Sequence, residues 1–402
     1  MEERREENRL LTGITRNVFV LGIASFLTDA STEIIYPLLP IFLTETLKVG
    51  TVFVGLVEGV AESTASLFRI FSGWFSDRIA RRKILVVSGY TLSSLTRPLI
   101  AMAGAGWHVL AARFIDRIGK GTRGAPRDAL IADSTDKRTL GKAFGFHRSM
   151  DHAGAVLGPI IAFALLSLFP GNYRVVFWFA TIPAFLCVLT LILFVQEKRF
   201  DAAPTQKLSL SLRPYDRRFK LYLVILFIFT LGNSSDAFLL LRAKGLGVSD
   251  RMVPILWASF HIVKVFTSTP GSALSDKIGR RKVIITGWCV YGLIYLGFAF
   301  ASSNLHIWSL FLLYGIYFGL TEGTEKALVA DLAPSEIRGT AYGLYSFAIG
   351  IGALPASLIL GFLWRAYSPE VAFSLGAGMA LLAMVLFYSL TRIKKEDSLQ
   401  LR

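Results

Sequence analysis

Arg113, Asp116, Arg117, Lys120, Arg123, Arg127 and Asp128 crowd a stretch that is otherwise apolar enough to cross a bilayer. At 100° per residue they share an arc of roughly 140°, and at 1.5 Å per residue Arg113 to Arg127 covers about 21 Å of a hydrocarbon core about 30 Å thick. One face is therefore polar through most of that depth. A charge placed against lipid costs upwards of about 2.5 kcal/mol, so this face must look onto water or onto partner charges. The arc divides by depth. Arg123, Arg127 and Asp128, near its end, read as pairing with loop acids to hold a closed state. Arg113, Asp116, Arg117 and Lys120 lie deeper and read as ligands for a small charged solute.

Acids elsewhere complete the set. Asp29 and Glu33 are one turn apart, as are Glu58 and Glu62; Asp236 sits deep in an apolar run, and Glu322 and Glu325 precede Lys326. Desolvation raises a carboxyl's hold on a proton and a nearby arginine lowers it, so a group caught between the two can load a proton in one conformation and release it in another. Asp29, Glu33, Asp236 and Glu322 are the candidates for this, with Asp236 and Glu322 also counted among the solute-binding residues. The alternative is fixed ion pairing, for instance of Glu62 with Arg69 or Arg97. His147 and His152 read as satisfied polar groups at a helix end rather than as relays or ligands. Cys187 and Cys289 fall in separate apolar runs with no metal-ligand spacing, so neither a disulfide nor a metal site is expected.

The elements that must position these groups are membrane helices. Hydrophobic residues make up 53% of the 402, and only 18% are charged, below the roughly 25% of a soluble domain. Spans are expected at 17–43, 51–75, 83–104, 108–132, 142–167, 175–196, 218–242, 248–274, 281–301, 306–330, 338–364 and 369–391. The formal charge of +15 raises the question of nucleic acid, but its distribution answers otherwise. Basic clusters at 4–16, 78–83, 198–220, 277–282 and 392–395 recur on alternate loops, as the positive-inside rule requires. They place both termini in the cytoplasm of a multi-pass plasma-membrane protein and attract anionic headgroups of the lipid bilayer. Partners are then the bilayer, a small-molecule solute and a coupling proton, with no nucleic acid.

Two repeats divide the chain. Gly73-Trp-Phe-Ser-Asp77-Arg-Ile-Ala-Arg-Arg-Lys83 is echoed by Ser272-Ala-Leu-Ser-Asp276-Lys-Ile-Gly-Arg-Arg-Lys282, and Ala129-Leu-Ile-Ala-Asp133 by Ala327-Leu-Val-Ala-Asp331. The separations are 199 and 198 positions, about half the chain. The expected organisation is a six-helix bundle at 1–196, a cytoplasmic linker at 197–217 and a second six-helix bundle at 218–402.

The duplicated loop resembles the G-x-x-x-D-R/K-x-G-R-R/K signature of the major facilitator superfamily. That resemblance implies an all-α polytopic membrane protein of two six-helix bundles related by a pseudo-two-fold axis along the membrane normal, with a solute site near the bilayer midplane. It assigns a conformational latch to Gly73, Asp77, Arg78, Arg81, Arg82, Asp276, Lys277, Gly279 and Arg280. Arg117-Ile-Gly-Lys120-Gly121 resembles the R-x-x-q-G pattern of the superfamily's exporters, which gives Arg117 a part in proton coupling with Asp29 and Glu33. Lys120 and Arg123 stand where those exporters carry an amide and a small residue, and the added positive charge disfavours a cationic drug. Gly154-x3-Gly158-Pro159 resembles part of an exporter helix motif, read here as a close helix contact and a helix bend.

The function expected is secondary active transport by alternating access, as proton-coupled efflux of an anionic, zwitterionic or amphipathic compound. Proton-coupled uptake of a small organic anion or metal chelate is the alternative. A membrane receptor or enzyme on the same scaffold is the contrasting class, but no G-x-S-x-G, H-E-x-x-H, P-loop or G-x-G-x-x-G context appears. No catalytic residue, no metal and no cofactor is therefore assigned. A monomer is expected, as for most of the relatives.

Overall fold

The structure is a computed structural model. It describes residues 14–79, 81–136, 139–197, 211–333 and 338–397, excepting the side chains of 70, 73–79, 140, 141, 269, 272, 338, 339 and 390–397. The described chain is helical: α1 Arg16–Ile35, α2 Thr51–Ile79, α3 Arg82–Ala101, α4 Gly106–Asp133, α5 Leu140–Leu168, α6 Tyr173–Phe194, α7 Arg217–Gly232, α8 Ala237–Gly245, α9 Val253–Ile278, α10 Arg280–Phe300, α11 Asn304–Leu332, α12 Arg338–Ala366 and α13 Pro369–Asp397. Every expected span falls on a helical run. The seventh is the exception in form, because it is two helices, α7 and α8, separated at Asn233–Asp236.

Local sequence accounts for the irregularities. After α1, Pro37 and Pro40 remove two ladder donors, and the chain continues as a 3-10 turn at Tyr36–Leu38, a single α-turn and a π turn at Phe42–Thr46. Asn-Ser-Ser-Asp breaks the seventh span because short polar side chains compete for backbone partners. The amide of Ala237 accordingly donates to Ser235 Oγ at 3.2 Å, and the freed carbonyl of Gly232 accepts from Tyr291 Oη at 3.1 Å. Pro159, in contrast, lies inside the unbroken helix α5.

Nine runs among the described residues are long and apolar enough to cross a membrane. α4 is not among them, because its charged residues dilute the run. α11 also falls outside, and α9 contributes only the shorter apolar run Val253–Ser268.

The helices gather into two compact units. The first draws on the described parts of Met1–Phe42, Thr64–Leu208 and Asp250–Ala258; the second on Leu43–Ser63, Ser209–Ser249 and Ser259–Arg402. In the first, α1 packs along α5 and α6, and α3 along α4 and α6. Val18, Leu21, Val86, Tyr90, Leu130, Ile131, Cys187 and Leu191 form its buried core. In the second, α10 packs along α11 and α13, and α7 along α12 and α13.

Small residues make the close approaches possible. A Cβ on Gly158 would meet the Ala30 carbonyl at 2.5 Å and Glu33 Cβ at 2.8 Å, and one on Gly154 would lie 3.1 Å from Asp29 Cβ. In the second unit Thr51, Gly55, Gly59 and Ser63 recur every fourth residue along α2 and lie on α12. Thr51 Oγ1 donates to the Gly361 carbonyl at 3.0 Å, and Ser63 Oγ to that of Gly350 at 2.5 Å. A Cβ on Gly59 would sit 2.9 Å from Leu354 Cα.

Candidate functional site: a buried arginine cluster and its acids

Asp116 lies at the centre of the first unit's polar interior, 3% exposed. Arg97 Nη2 from α3 approaches its Oδ1 at 3.3 Å, while Arg113 Nη1 and Arg117 Nε stand 3.8 and 3.9 Å from its Oδ2. Arg97, Arg113 and Arg117 are 3%, 2% and 6% exposed. Three buried guanidiniums thus gather on one buried carboxylate, and a charge survives burial only when it is paired in this way. Arg97 is tied further by a 2.9 Å hydrogen bond to Thr32 Oγ1 on α1, and Arg113 lies over the Tyr36 ring at 5.7 Å. From sequence Arg97 is no more than a possible partner for Glu62. A lone arginine inside an apolar run, just ahead of Pro98, was the signal available.

The rest of the α4 arc behaves differently from expectation. Arg123 does not pair with a loop acid. It is buried, donates to Ser93 Oγ at 2.6 Å and stacks over Tyr90 at 4.3 Å. It belongs to the α3–α4 packing because Gly89 and Gly119 bring those two backbones together. Arg127 pairs with its neighbour Asp128 at 2.8 Å, so neither reaches a loop acid through this contact. Lys120 is exposed.

Asp29 and Glu33 line the α1 face against which Gly154 and Gly158 of α5 pack. Glu33 Oε2 accepts from Trp257 Nε1 at 2.7 Å, and Trp257 packs on Tyr36 with ring centroids 5.2 Å apart. Arg113, Tyr36, Trp257 and Glu33 therefore form a continuous chain of contacts. Farther along α5, Asp151 accepts from Ser25 Oγ and lies 3.6 Å from His147 Nδ1 and 3.8 Å from Arg148 Nη1. His147 is thus a buried polar group with an acid beside it, in the second turn of α5.

The second unit holds the remaining acids separately. Asp236, at the α7–α8 break, accepts from Tyr314 Oη at 2.6 Å. Glu322 pairs with Lys264 at 2.9 Å and lies 3.9 Å from Lys326. Glu325, which lies outside the expected site set, is 7% exposed and accepts from both Trp288 Nε1 and Tyr345 Oη at 2.9 Å. Tyr291, Tyr295, Tyr314 and Tyr317 stack around the break, with Tyr291 and Tyr295 centroids 4.3 Å apart.

Each repeated loop ends in an arginine tied to an aspartate, Asp133 or its counterpart Asp331. Arg82 pairs with Asp133 in the first unit, and Arg280 Nε pairs with Asp331 at 2.6 Å in the second while its Nη1 reaches Asp276 at 2.7 Å. Gly279 caps α10 with φ 95°, a conformation in which glycine alone carries no steric penalty. Arg81 and Lys277 are exposed. Gly73, Asp77 and Arg78 lie on α2, with their side chains outside those described.

A chain that is helical through almost all of its described residues, with nine spanning runs among them and charges buried between its helices, is a multi-pass membrane protein. The Major Facilitator Superfamily profile matches residues 21–241 and again 221–401. The chain belongs to the major facilitator superfamily and is a membrane transporter. It is 37% identical over 392 residues to an uncharacterized MFS-type transporter of Methanocaldococcus jannaschii, covering 96% of this chain and 97% of the relative. It is 25% identical to the multi-drug resistance efflux pump PmrA of Streptococcus pneumoniae, over 94% of this chain and 98% of PmrA. Its fold is like the crystal structure of the nucleoside transporter NupG, with a TM-score of 0.72, 15% identity, and 93% of this chain and 98% of that one covered.

Proposed function

We propose that this transporter exports small amphipathic or zwitterionic compounds bearing an anionic group, driven by protons moving the other way. The observation that carries the reading is the gathering of three buried guanidiniums on Asp116. An anionic group on the solute would meet a concentration of cationic donors there, and a planar guanidinium can grip a carboxylate or phosphate with two parallel hydrogen bonds. Arg113 and Arg117 are the proposed solute ligands, held by Asp116, with Lys120, Asp236 and Glu322 completing the solute-binding set. The name of the pneumococcal relative supports the outward direction.

Asp29 and Glu33 are the proposed proton carriers, acting with Arg117. A carboxyl whose surroundings alternate between wet and packed changes its hold on a proton, which is what an alternating-access cycle would impose on the α1 face. The Arg82 and Arg280 ties would hold the loop latches. Both termini and the linker at 197–217, joining halves 1–196 and 218–402, are assigned to the cytoplasmic side of the plasma membrane. The protein is read as a monomer with no catalytic step of its own.

The test is uptake into inverted vesicles under an imposed pH gradient, with labelled anionic, zwitterionic and cationic solutes. Gradient-driven accumulation of an anionic solute, abolished by Arg117→Ala and by Asp29→Asn, is the expected result. Accumulation of a cation that survives Arg117→Ala would overturn the assignment.

A further inference from the structure

A groove of about 530 Å³ runs down the outside of the first unit. Lys83, Ile84, Val87, Ser88, Thr91, Leu92 and Leu95 form one stripe along α3, and Ile192 of α6 lines the groove as well. Successive lining residues at alternating intervals of one and three positions, a repeat of four, occupy a single helix face. Lys83 to Leu95 spans about 18 Å at 1.5 Å per residue, close to the roughly 15 Å that one leaflet contributes to the hydrocarbon core. α3 and α6 are both long and apolar enough to span, and Ile84, Leu95 and Ile192 are about half exposed. In a membrane the groove therefore opens onto acyl chains.

Its two ends differ. Leu95 closes the deep end with hydrocarbon alone. Lys83 stands at the other, where its ammonium donates to the Ile192 carbonyl at 3.0 Å. An ammonium has three donors, so two remain for a ligand. Arg81, the residue before α3, is exposed. Arg82 is engaged by Asp133, and Glu197 accepts the Lys83 amide at 3.1 and 3.2 Å, so its carboxylate is held at the positive start of α3. Among the described residues, the free charge at this end is thus basic.

We propose that the groove is a binding site for one anionic phospholipid, with an acyl chain along the α3 stripe and the phosphate at Lys83. The charge complementarity at Lys83 and the one-leaflet length select this occupant over a zwitterionic lipid and over a protein helix. The site depends only on the chain being embedded in a bilayer, not on the solute or the direction of transport.

The full chain, stripped of co-purified lipid and offered equal phosphatidylglycerol and phosphatidylethanolamine, is examined by native mass spectrometry for retained lipid. One basic residue near a membrane surface supports a preference of about fivefold. The native chain and Lys282→Gln, the matched lysine of the second loop, are expected to hold phosphatidylglycerol with that preference. Lys83→Gln is expected to bring the ratio to about one, and Thr91→Trp, which fills the groove, to lose both lipids. Ser88→Phe serves the same purpose should Thr91→Trp not fold. Preference retained in Lys83→Gln, lipid retained as in the native chain when the groove is filled, or no preference in the native chain would each overturn the proposal.

Discussion

Asp116 is the acid that Arg97, Arg113 and Arg117 share. Removing it takes away the carboxylate that joins three buried cations, whereas removing one arginine leaves the acid with two partners. Breaking a buried charge set by deleting the shared partner costs about 3–5 kcal/mol. Asp116→Asn is therefore expected to lower the melting temperature of the purified protein clearly more than Arg113→Gln does. Equal shifts for the two variants would mean that the cluster is not held together by this acid. At this scale the sequence was informative wherever a charge interrupts an apolar run, which is why Arg113, Asp116 and Arg117 could be picked out. It was uninformative about cover. Lys120 shares their arc and is exposed, while Arg123 shares it and is buried against Tyr90. Whether a helical position is covered depends on the neighbouring helix at that turn, and α4 alone does not encode α3.

Helices here are spaced by residues that have almost no side chain. The α1–α5 seam brings Gly154 and Gly158 onto the turn that carries Asp29 and Glu33, so any added bulk must push the two helices apart or displace the acids. Gly158→Val is expected to destabilise the protein by about 1–3 kcal/mol, the usual cost of overpacking, and to change solute transport in vesicles more than Gly104→Val, whose Cβ would meet nothing. Transport by Gly158→Val equal to that by Gly104→Val would argue against a working role for the seam. The Gly154–Gly158 spacing was legible as a close contact, and the structure supplies its partner. The Thr51–Gly55–Gly59–Ser63 stripe is not legible in the same way, because a fourfold spacing of small residues means little until the helix that lies on it is known. The break at Asn233–Asp236 was equally hidden. The flanking residues are apolar enough to read as one span, and the hydroxyl that donates to the freed Gly232 carbonyl comes from Tyr291 of α10, far along the chain.

Across the whole chain, duplication was the most legible property, since it is written in paired motifs rather than in any one contact. The ties that close the two loops turn that pattern into an interaction that can be exchanged. Asp133→Arg should impair transport by setting two cations face to face, and adding Arg82→Asp should restore a large part of it. Loss in the single variant without recovery in the double would show that geometry, not charge, matters at this tie. The copies nonetheless differ in detail. Aligned on their aspartates, Arg82 corresponds to Arg281, yet the second tie is made by Arg280, the counterpart of Arg81. Gly279, at φ 95°, stands where the first copy has Ala80. Grafting the first loop into the second position would place an alanine in a sparsely populated, positive-φ backbone conformation that costs of order 1–3 kcal/mol. The halves remain recognisable as siblings, but a loop moved from the first to the second would carry that cost with it.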